Sequence, residues 1–421
     1  MNKATEKTAE WWNDPQSQPP GTQWVEVPTI GANVNRRASG DPAIDWLDHS
    51  AIFLSEQPRP IKALSVGCGF GIIERILRQR DICQLIHGLD VAEGAIQGAI
   101  QQAEAEGLQG LTYEVADLNT AKLPEENYDV VYAHASLHHV FQLEHLFEQI
   151  KKTLKPGGFF ITYEYVGPSQ MQFPQHHLQL ADFFLKSIPE RYRRTRRREG
   201  FKQEAPRFSL ERMNSSDPSE GIRASEIVPL VASRFEIRYL RYLAGTLLLL
   251  IFNEIAGNFR EDDAEIMPLV NALISLDNFM VDNAILPSYH VYMVCQKTDN
   301  PLPMQTVNVV SLATPVFATN NPQPLNSPTA SVIADPNPLI VDPPAPGQVT
   351  LSWKSYGTRR VEIHVDDPNG KMFAGSGPGC FSKKTGQWTR VGMTFYLQNV
   401  SNGLPLTADN TLAKVTLTAP Q

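Results

Sequence analysis

Cysteine is scarce in this chain. Cys68, Cys83, Cys295 and Cys380 are the only four among 421 residues, and no two form a CxxC pair. That excludes a disulfide framework and a cysteine-built zinc site, and it suits a reducing compartment. Long apolar runs are missing as well. The most apolar stretch, LAGTLLLLIF at 243–252, stops after ten residues at Asn253 and Glu254, too short to span a bilayer. The opening MNKATEKTAEWWNDPQ is polar and mixed in charge, unlike a secretory signal, so a cytoplasmic protein is expected. Net positive charge is lacking too: at −8 the chain is not built to grip nucleic acid. Residues 298–353 hold no lysine or arginine, and 301–347 carry 11 of the 32 prolines. This composition break marks a linker over 301–327.

On either side of the linker the hydrophobic period differs. From about 60 to 165, apolar strand-like segments (ALSVG, QLIHGLD, LTYEVADL, YDVVYAHA, FFITYEYVG) alternate with stretches of helical spacing such as Ala95, Ile96, Ala99, Ile100 and Ala103. FEIRYLRYL and SYHVYMVCQ add two later strands. This order predicts an α/β fold, a doubly wound and mostly parallel seven-stranded sheet over residues 1–300. A helical lead occupies 1–60, and segments 166–234 and 244–286 form a helical cap over the carboxyl edge. Beyond the linker, period-two alternation at Val349, Leu351 and Trp353, and at Val361, Ile363 and Val365, predicts an antiparallel β-sandwich over 328–421. DPNGKMFAGSGPGCFSKKTGQ within it reads as one long glycine-rich loop.

The most pointed stretch is LSVGCGFG at 64–71. Gly67, Gly69 and Gly71 close a first strand and open a helix, the nucleotide-binding corner of a doubly wound sheet. The dinucleotide fingerprint G-x-G-x-x-G is not met, because Ile72 stands at its third glycine, and Glu74 would repel a diphosphate. A phosphate-free nucleoside is the expected ligand. Asp90 ends the second strand, 19 residues after Gly71, placed to accept from ribose hydroxyls. Asp117 ends the third and could accept from the exocyclic amine of adenine. Either aspartate alone would more often be a helix cap or turn residue; it is their concurrence at successive strand ends that points into one crevice.

In this order the segments resemble the class I S-adenosylmethionine-dependent methyltransferases, over roughly residues 40–297. LSVGCGFG is similar to their glycine motif, IHGLDVAEGAI to their ribose-binding strand end, and VADLNTAKLPEENYDVV to their adenine-binding segment. AHASLHHV and TLKPGGFFITYEYVGP are similar to later motifs. The resemblance implies S-adenosylmethionine as cofactor, bound by Gly67, Cys68, Gly69, Gly71, Asp90, Val91, Asp117, Leu118 and His134. It also implies a methyl-side position for His134. The family commonly carries an acid two residues before the first glycine, where this chain has Ser65. The C-terminal segment, through TGQWTRVGMTFYLQ, loosely resembles immunoglobulin-like sandwiches attached to bacterial glycan-modifying enzymes.

Chemistry beyond the cofactor rests on a few side chains. His134 and Glu164, at the ends of the fourth and fifth strands, are the expected catalytic pair, with Glu164 as base or substrate-positioning group. His138 and His139 invite a metal reading, but adjacent side chains diverge and no carboxylate is spaced to help, so no metal is expected. RYRRTRRREG at 191–200 places six arginines in eight residues. It reads either as a solvated face or as a gate for an anionic acceptor. The helix before it has Leu178, Ala181, Phe184, Leu185 and Ile188 at helical spacing, which suits either the core or a membrane surface. The expected function is O-methylation of a sugar, glycan or glycolipid precursor. An amphiphilic small metabolite as acceptor, and a cofactor-binding scaffold without turnover, stand as alternatives. The sequence leaves the oligomeric state open.

Overall fold

The computed structural model describes residues 3–14, 19–196, 199–299, 329–339, 346–356, 358, 360–376 and 379–419. The linker expected at 301–327 falls outside them. The chain divides into two compact units. The first contains α1 (Lys3–Trp12), α2 (Pro28–Ser39), α3 (Trp46–Leu54), β1 (Lys62–Val66), α4 (Ile72–Gln79), β2 (Leu85–Asp90), α5 (Glu93–Ala105), β3 (Leu111–Val115) and β4 (Tyr128–His134). It continues with α6 (Leu143–Thr153), β5 (Leu154–Tyr165), α7 (Gln175–Ser187), α8 (Leu210–Ser216), α9 (Ile227–Ala232), β6 (Phe235–Tyr242), α10 (Thr246–Phe252), α11 (Met267–Asp282) and β7 (His290–Lys297).

The seven strands pair in the order β3-β2-β1-β4-β5-β7-β6. β1 runs parallel to both β2 and β4, and β7 is antiparallel to β5 and β6. Sequential strands thus grow outward from β1 in one direction and from β4 in the other. The chain's switch point lies between them, and an open α/β sheet leaves its ligand crevice there, outside the carboxyl ends. The loop that follows β1 is the glycine stretch, and the turn after β4 is AHASLHHV.

Side chains alternate between two cores because strand neighbours point to opposite faces. Ala63, Val130, Tyr132, Ile161 and Tyr292 face one layer, whereas Leu64, Val131, Ala133, Phe160 and Met293 face the other. The first layer takes in α3, α7, α10 and α11. The apolar stripe of α7 therefore belongs to the core, through Leu178, Ala181, Leu185 and the following Ile188; Phe183 alone stands well out, 69% exposed. No described helix is long and apolar enough to cross a membrane.

The second unit holds β8 (Thr329–Asp335), β9 (Thr350–Tyr356), β10 (Val361–Val365), β11 (Lys371–Ser376), β12 (Gly379–Lys384), β13 (Thr394–Asn399) and β14 (Thr411–Thr416). They form two antiparallel sheets, β11-β10-β13-β14 and β12-β9-β8. Leu351, Trp353, Val361, Ile363, Phe395 and Leu397 share one core. The stretch read as a single glycine-rich loop proves to be two strands, β11 and β12, in different sheets. Only Ala374 of β11 is fully buried, so these edge strands carry too little apolar alternation to announce themselves.

Candidate active site

Gly67, Gly69 and Gly71 all take left-handed backbone angles, with φ of 71°, 51° and 70°, a region that strains other residues. Two of them serve different ends. A β-carbon on Gly67 would lie 2.3 Å from Cβ of Ser136, so the absence of a side chain lets the β1 loop close against the β4 turn. A β-carbon on Gly69 would meet nothing within 4 Å. Its bare backbone borders open space at the switch point.

Asp90 organises this loop from the next strand. Its Oδ2 accepts from Gly69 N at 2.8 Å and its Oδ1 from Ala92 N at 2.9 Å. Burial raises its pKa, and these two backbone donors oppose the rise. Gly67 N and Cys68 N both donate to Leu89 O, at 2.8 and 3.0 Å. Burial pushes the Cys68 thiol well above its usual range, so its contribution is backbone placement rather than nucleophilicity. One step along the sheet, Asp117 Oδ1 accepts from Asn119 N and Nδ2 at 2.9 and 2.7 Å, and its Oδ2 has no partner among the described residues. Val91 and Leu118 follow these aspartates, the second 9% exposed. All the residues named for the cofactor at the three strand tips are thus brought to one edge.

Beneath the loop lies a feature that spacing could not show. Glu74, in the first turn of α4, is completely buried, and burial drives its pKa to about 7, with Ser65 opposing the rise. Ser65 Oγ, both Glu74 oxygens and Tyr113 Oη are buried without a hydrogen bond of normal geometry. The two hydroxyls can donate as well as accept, but the Glu74 carboxylate beneath the loop favours a cationic ligand above it and disfavours a phosphate. A cofactor carrying a sulfonium and an ammonium, on an uncharged nucleoside, fits this floor and the open space at Gly69. The acid absent at position 65 is found nine residues on, in the first turn of α4.

The β4 turn supplies the histidines. His134 stacks on Trp46, with ring centroids 5.3 Å apart and planes 21° from parallel, and sits 5.4 Å from the Tyr163 ring. Burial lowers its pKa, which keeps it neutral. Neither ring nitrogen has a partner among the described residues. Glu164 is different: wholly buried, it accepts from Ser136 N (2.9 Å) and Leu137 N (2.7 Å) on Oε2, and from Tyr165 N (2.7 Å) and His138 Nδ1 (2.5 Å) on Oε1. Burial alone would raise its pKa, but the His138 charge and these donors hold it below the usual value. Every lone pair on that carboxylate is committed, so Glu164 positions the turn and its histidine.

The expectation that His138 and His139 diverge is overturned. Their ring centroids are 4.2 Å apart, because each Nδ1 is anchored by a different group and both Nε2 atoms turn to one carboxylate. Glu220 Oε1 lies 3.7 Å from His138 Nε2, and its Oε2 lies 3.9 Å from His139 Nε2. That carboxylate belongs to the cap segment, about eighty residues away in sequence, where no local spacing could reveal it.

The arginine run is largely occupied by structure. Arg191 pairs with Glu265, Arg193 donates to Lys202 O at 2.9 Å, and Arg196 donates to Gly257 O. Among the described residues, the Arg194 guanidinium has no partner. Arg197 and Arg198 lie outside the described residues. As a gate, the run therefore offers far less free charge than its composition promises.

Residues 64–162 match the family described as a methyltransferase domain. Sterol 24-C-methyltransferase erg6 of Aspergillus fumigatus is 32% identical over 135 residues, which is 31% of this chain and 36% of that protein. Phosphoethanolamine N-methyltransferase 1 of Arabidopsis thaliana is 31% identical over 105 residues, 25% of this chain and 21% of the relative. The chain thus spans about a third or less of the length of these relatives. Among solved structures, geranyl diphosphate C-methyltransferase from Streptomyces coelicolor aligns at a TM-score of 0.40 and 13% identity, over 71% of this chain and all of that one. With the strand order, the glycine loop and the matched segment in agreement, the chain carries a class I S-adenosylmethionine-dependent methyltransferase domain.

Proposed function

We propose that this protein transfers a methyl group from S-adenosylmethionine to an oxygen of a sugar, glycan or glycolipid precursor. The observation that carries the reading is the Gly69 position: left-handed backbone beside open space, tied to a buried Asp90 and floored by Glu74. When bound, the cofactor supplies an electrophilic methyl on a positively charged sulfur. The chain's own residues do the rest. Asp90 holds the ribose hydroxyls, the free Oδ2 of Asp117 takes the exocyclic amine, and Val91 and Leu118 flank the base. The backbone of Gly67, Cys68, Gly69 and Gly71 borders the methionine end.

An alcohol is a weak nucleophile and needs its proton drawn off. His134 meets that need: neutral, unpartnered, and held in plane by Trp46. Glu164, with no lone pair to spare, keeps the turn in register. The sugar or glycan preference rests on the β-rich C-terminal unit and its loose likeness to glycan-associated sandwiches. A second reading, an amphiphilic small-molecule acceptor, is supported by the aromatic wall of Trp46, Tyr163 and His134, and by relatives named for sterol methylation.

Calorimetry with S-adenosylmethionine tests the foundation. The intact chain should bind one equivalent, and Gly69→Ala should abolish binding while the melting curve shows a folded protein, because the added methyl enters ligand space and the left-handed φ of 51° strains the loop that borders it. Equal affinity in the variant would sink the reading. Label transfer from methyl-tritiated cofactor then sorts the acceptors. Counts in saccharide pools support the first, counts in non-saccharide amphiphiles the second, and binding without transfer to any pool the scaffold.

A further inference from the structure

We propose that His138, His139 and Glu220 form a binding site for one divalent transition-metal ion. Two imidazole nitrogens and a carboxylate are a donor set suited to Zn2+ and its first-row neighbours. The three ligand atoms lie within 4.8 Å of one another. At metal–ligand distances of about 2.0–2.2 Å, tetrahedral donors stand roughly 3.4 Å apart. His138 Nε2 lies 3.7 Å from Glu220 Oε1 and His139 Nε2 lies 3.9 Å from Glu220 Oε2, and with every donor pair inside 4.8 Å the three side chains each need to close by about 1 Å or less to share one ion.

What distinguishes this cluster from a chance meeting of polar groups is the layer behind it. Metal-bound histidines characteristically donate their second nitrogen to a carboxylate or another fixed acceptor, which sets the tautomer and the ring plane. Both histidines do so. His138 Nδ1 meets Glu164 at 2.5 Å, and Glu164 can only accept. His139 Nδ1 lies 2.8 Å from Ser219 Oγ, whose single hydrogen is committed to Asp217 Oδ1 at 2.6 Å, so Ser219 accepts from the imidazole. Asp217 is itself held by Thr8 Oγ1 and Trp12 Nε1, at 3.1 and 3.2 Å. Each Nδ1 thus carries a proton, and each Nε2 is directed to Glu220.

Charge points the same way. Glu164, Asp217 and Glu220 bring three carboxylates around two imidazoles, and among the described residues no lysine or arginine pairs with any of them. The nearby Arg223 is spent on Glu144 and Glu226. A protonated His138 offsets one of these charges, and a divalent cation in the place of its Nε2 proton would balance more of the surplus. Three protein ligands leave at least one coordination position open, as catalytic rather than structural metal sites do. His138 and His139 share the β4 turn with Ser136, which packs on Gly67, so the open position borders the crevice mouth. An ion there would lower the pKa of a coordinated acceptor hydroxyl. That role rests on the methyl-transfer reading; the binding itself does not.

The test uses the full chain, stripped with a chelator and titrated with Co2+ and then Zn2+. One equivalent of Co2+ should develop the visible ligand-field bands of a low-coordinate N/O site, and Zn2+ should bleach them stoichiometrically. Glu220→Gln and His139→Gln should each weaken Zn2+ at least about 100-fold. Ser219→Ala, which removes only the orienting acceptor, should cost about 10- to 100-fold. His87→Gln, at a histidine elsewhere on the sheet, should change nothing. Circular dichroism and the melting temperature establish that each variant is folded. Failure to bind one equivalent, or an affinity unaltered by Glu220→Gln and His139→Gln in folded protein, overturns the proposal. Because S-adenosylmethionine binding is read separately by calorimetry, either result can fail without the other.

Discussion

Asp277 and Lys202 hold opposite ends of the same buried helix. Asp277 accepts from Gly245 N and Leu247 N, both at 2.7 Å, at the start of α10. Lys202 Nζ donates to Leu250 O, Ile251 O and Asn253 O at 2.8, 3.0 and 2.8 Å, at its end. All seven residues of TLLLLIF are buried, so water cannot satisfy the backbone groups that a helix leaves unpaired at its termini. A carboxylate at the amino end and an ammonium at the carboxyl end also complement the helix dipole.

Lys202→Met should therefore destabilise the protein although methionine is the better apolar residue. Three buried carbonyls would lose their donor, each a loss on the order of 1 kcal/mol or more. Relief from burying a charge, which pushes the Lys202 pKa down to about 7, offsets part of this. A net loss of about 2 kcal/mol is expected in urea unfolding, and an unchanged midpoint would contradict the capping role.

Asp277 makes a prediction with a sign. Burial raises its pKa from 3.8 to about 6, against Leu247 N, Gly245 N and Arg37. A carboxyl whose folded pKa is raised contributes stability that is complete below pH 4 and is lost by about pH 6. The span corresponds to about 3 kcal/mol. Asp277→Asn should be less stable than the parent throughout, since an amide offers one acceptor to two donors. Its deficit should be largest below pH 4 and shrink between pH 4 and 6. A deficit that does not vary with pH would mean that Asp277 does not titrate in this window.

Much of the first unit is written in its sequence, because a parallel sheet buries both faces of its strands. YDVVYAHA is apolar enough that β4 needs no tertiary information, and the glycine triplet marks where the ligand crevice opens. What could not be read is chemistry assembled across long separations. Glu220 meets His138 only after the cap segment folds back, and Lys202 meets α10 only once the arginine loop is anchored to it. Adjacent histidines ordinarily diverge; here hydrogen bonds to Glu164 and Ser219 rotate them together. In the arginine run, composition counts charges without knowing which partners they serve: Arg191 pairs with Glu265, and Arg193 and Arg196 donate to backbone carbonyls.

Glu74 should trade stability against ligand affinity. Its carboxyl, raised from 4.5 to about 7 by burial, contributes stability that is present below pH 4.5 and lost by pH 7, again about 3 kcal/mol. Glu74→Gln removes that pH dependence, so at pH 8 the variant should melt above the parent, and the advantage should shrink toward pH 4.5. The same change should weaken S-adenosylmethionine about 10-fold or more by removing the charge beneath the loop. A stabilised variant with undiminished affinity would show that Glu74 does not serve the cofactor.

His134 and Glu164 can be told apart by what each loses. His134→Phe keeps the stack on Trp46 and removes only the ring nitrogens, so the melting temperature should hold. The turnover number on an oxygen acceptor should fall about 100- to 10,000-fold, the usual share of a positioned base. Because burial lowers the His134 pKa below 6.5, the parent's rate should be flat through neutral pH and decline only on the acidic side, as the base becomes protonated. Glu164→Gln should do the reverse: an amide NH2 group forced against backbone N–H donors destabilises the turn by about 2–4 kcal/mol. Activity would then follow the folded fraction. A folded, stable Glu164→Gln protein with no turnover would return the base to Glu164, and a fully active His134→Phe would remove it from His134.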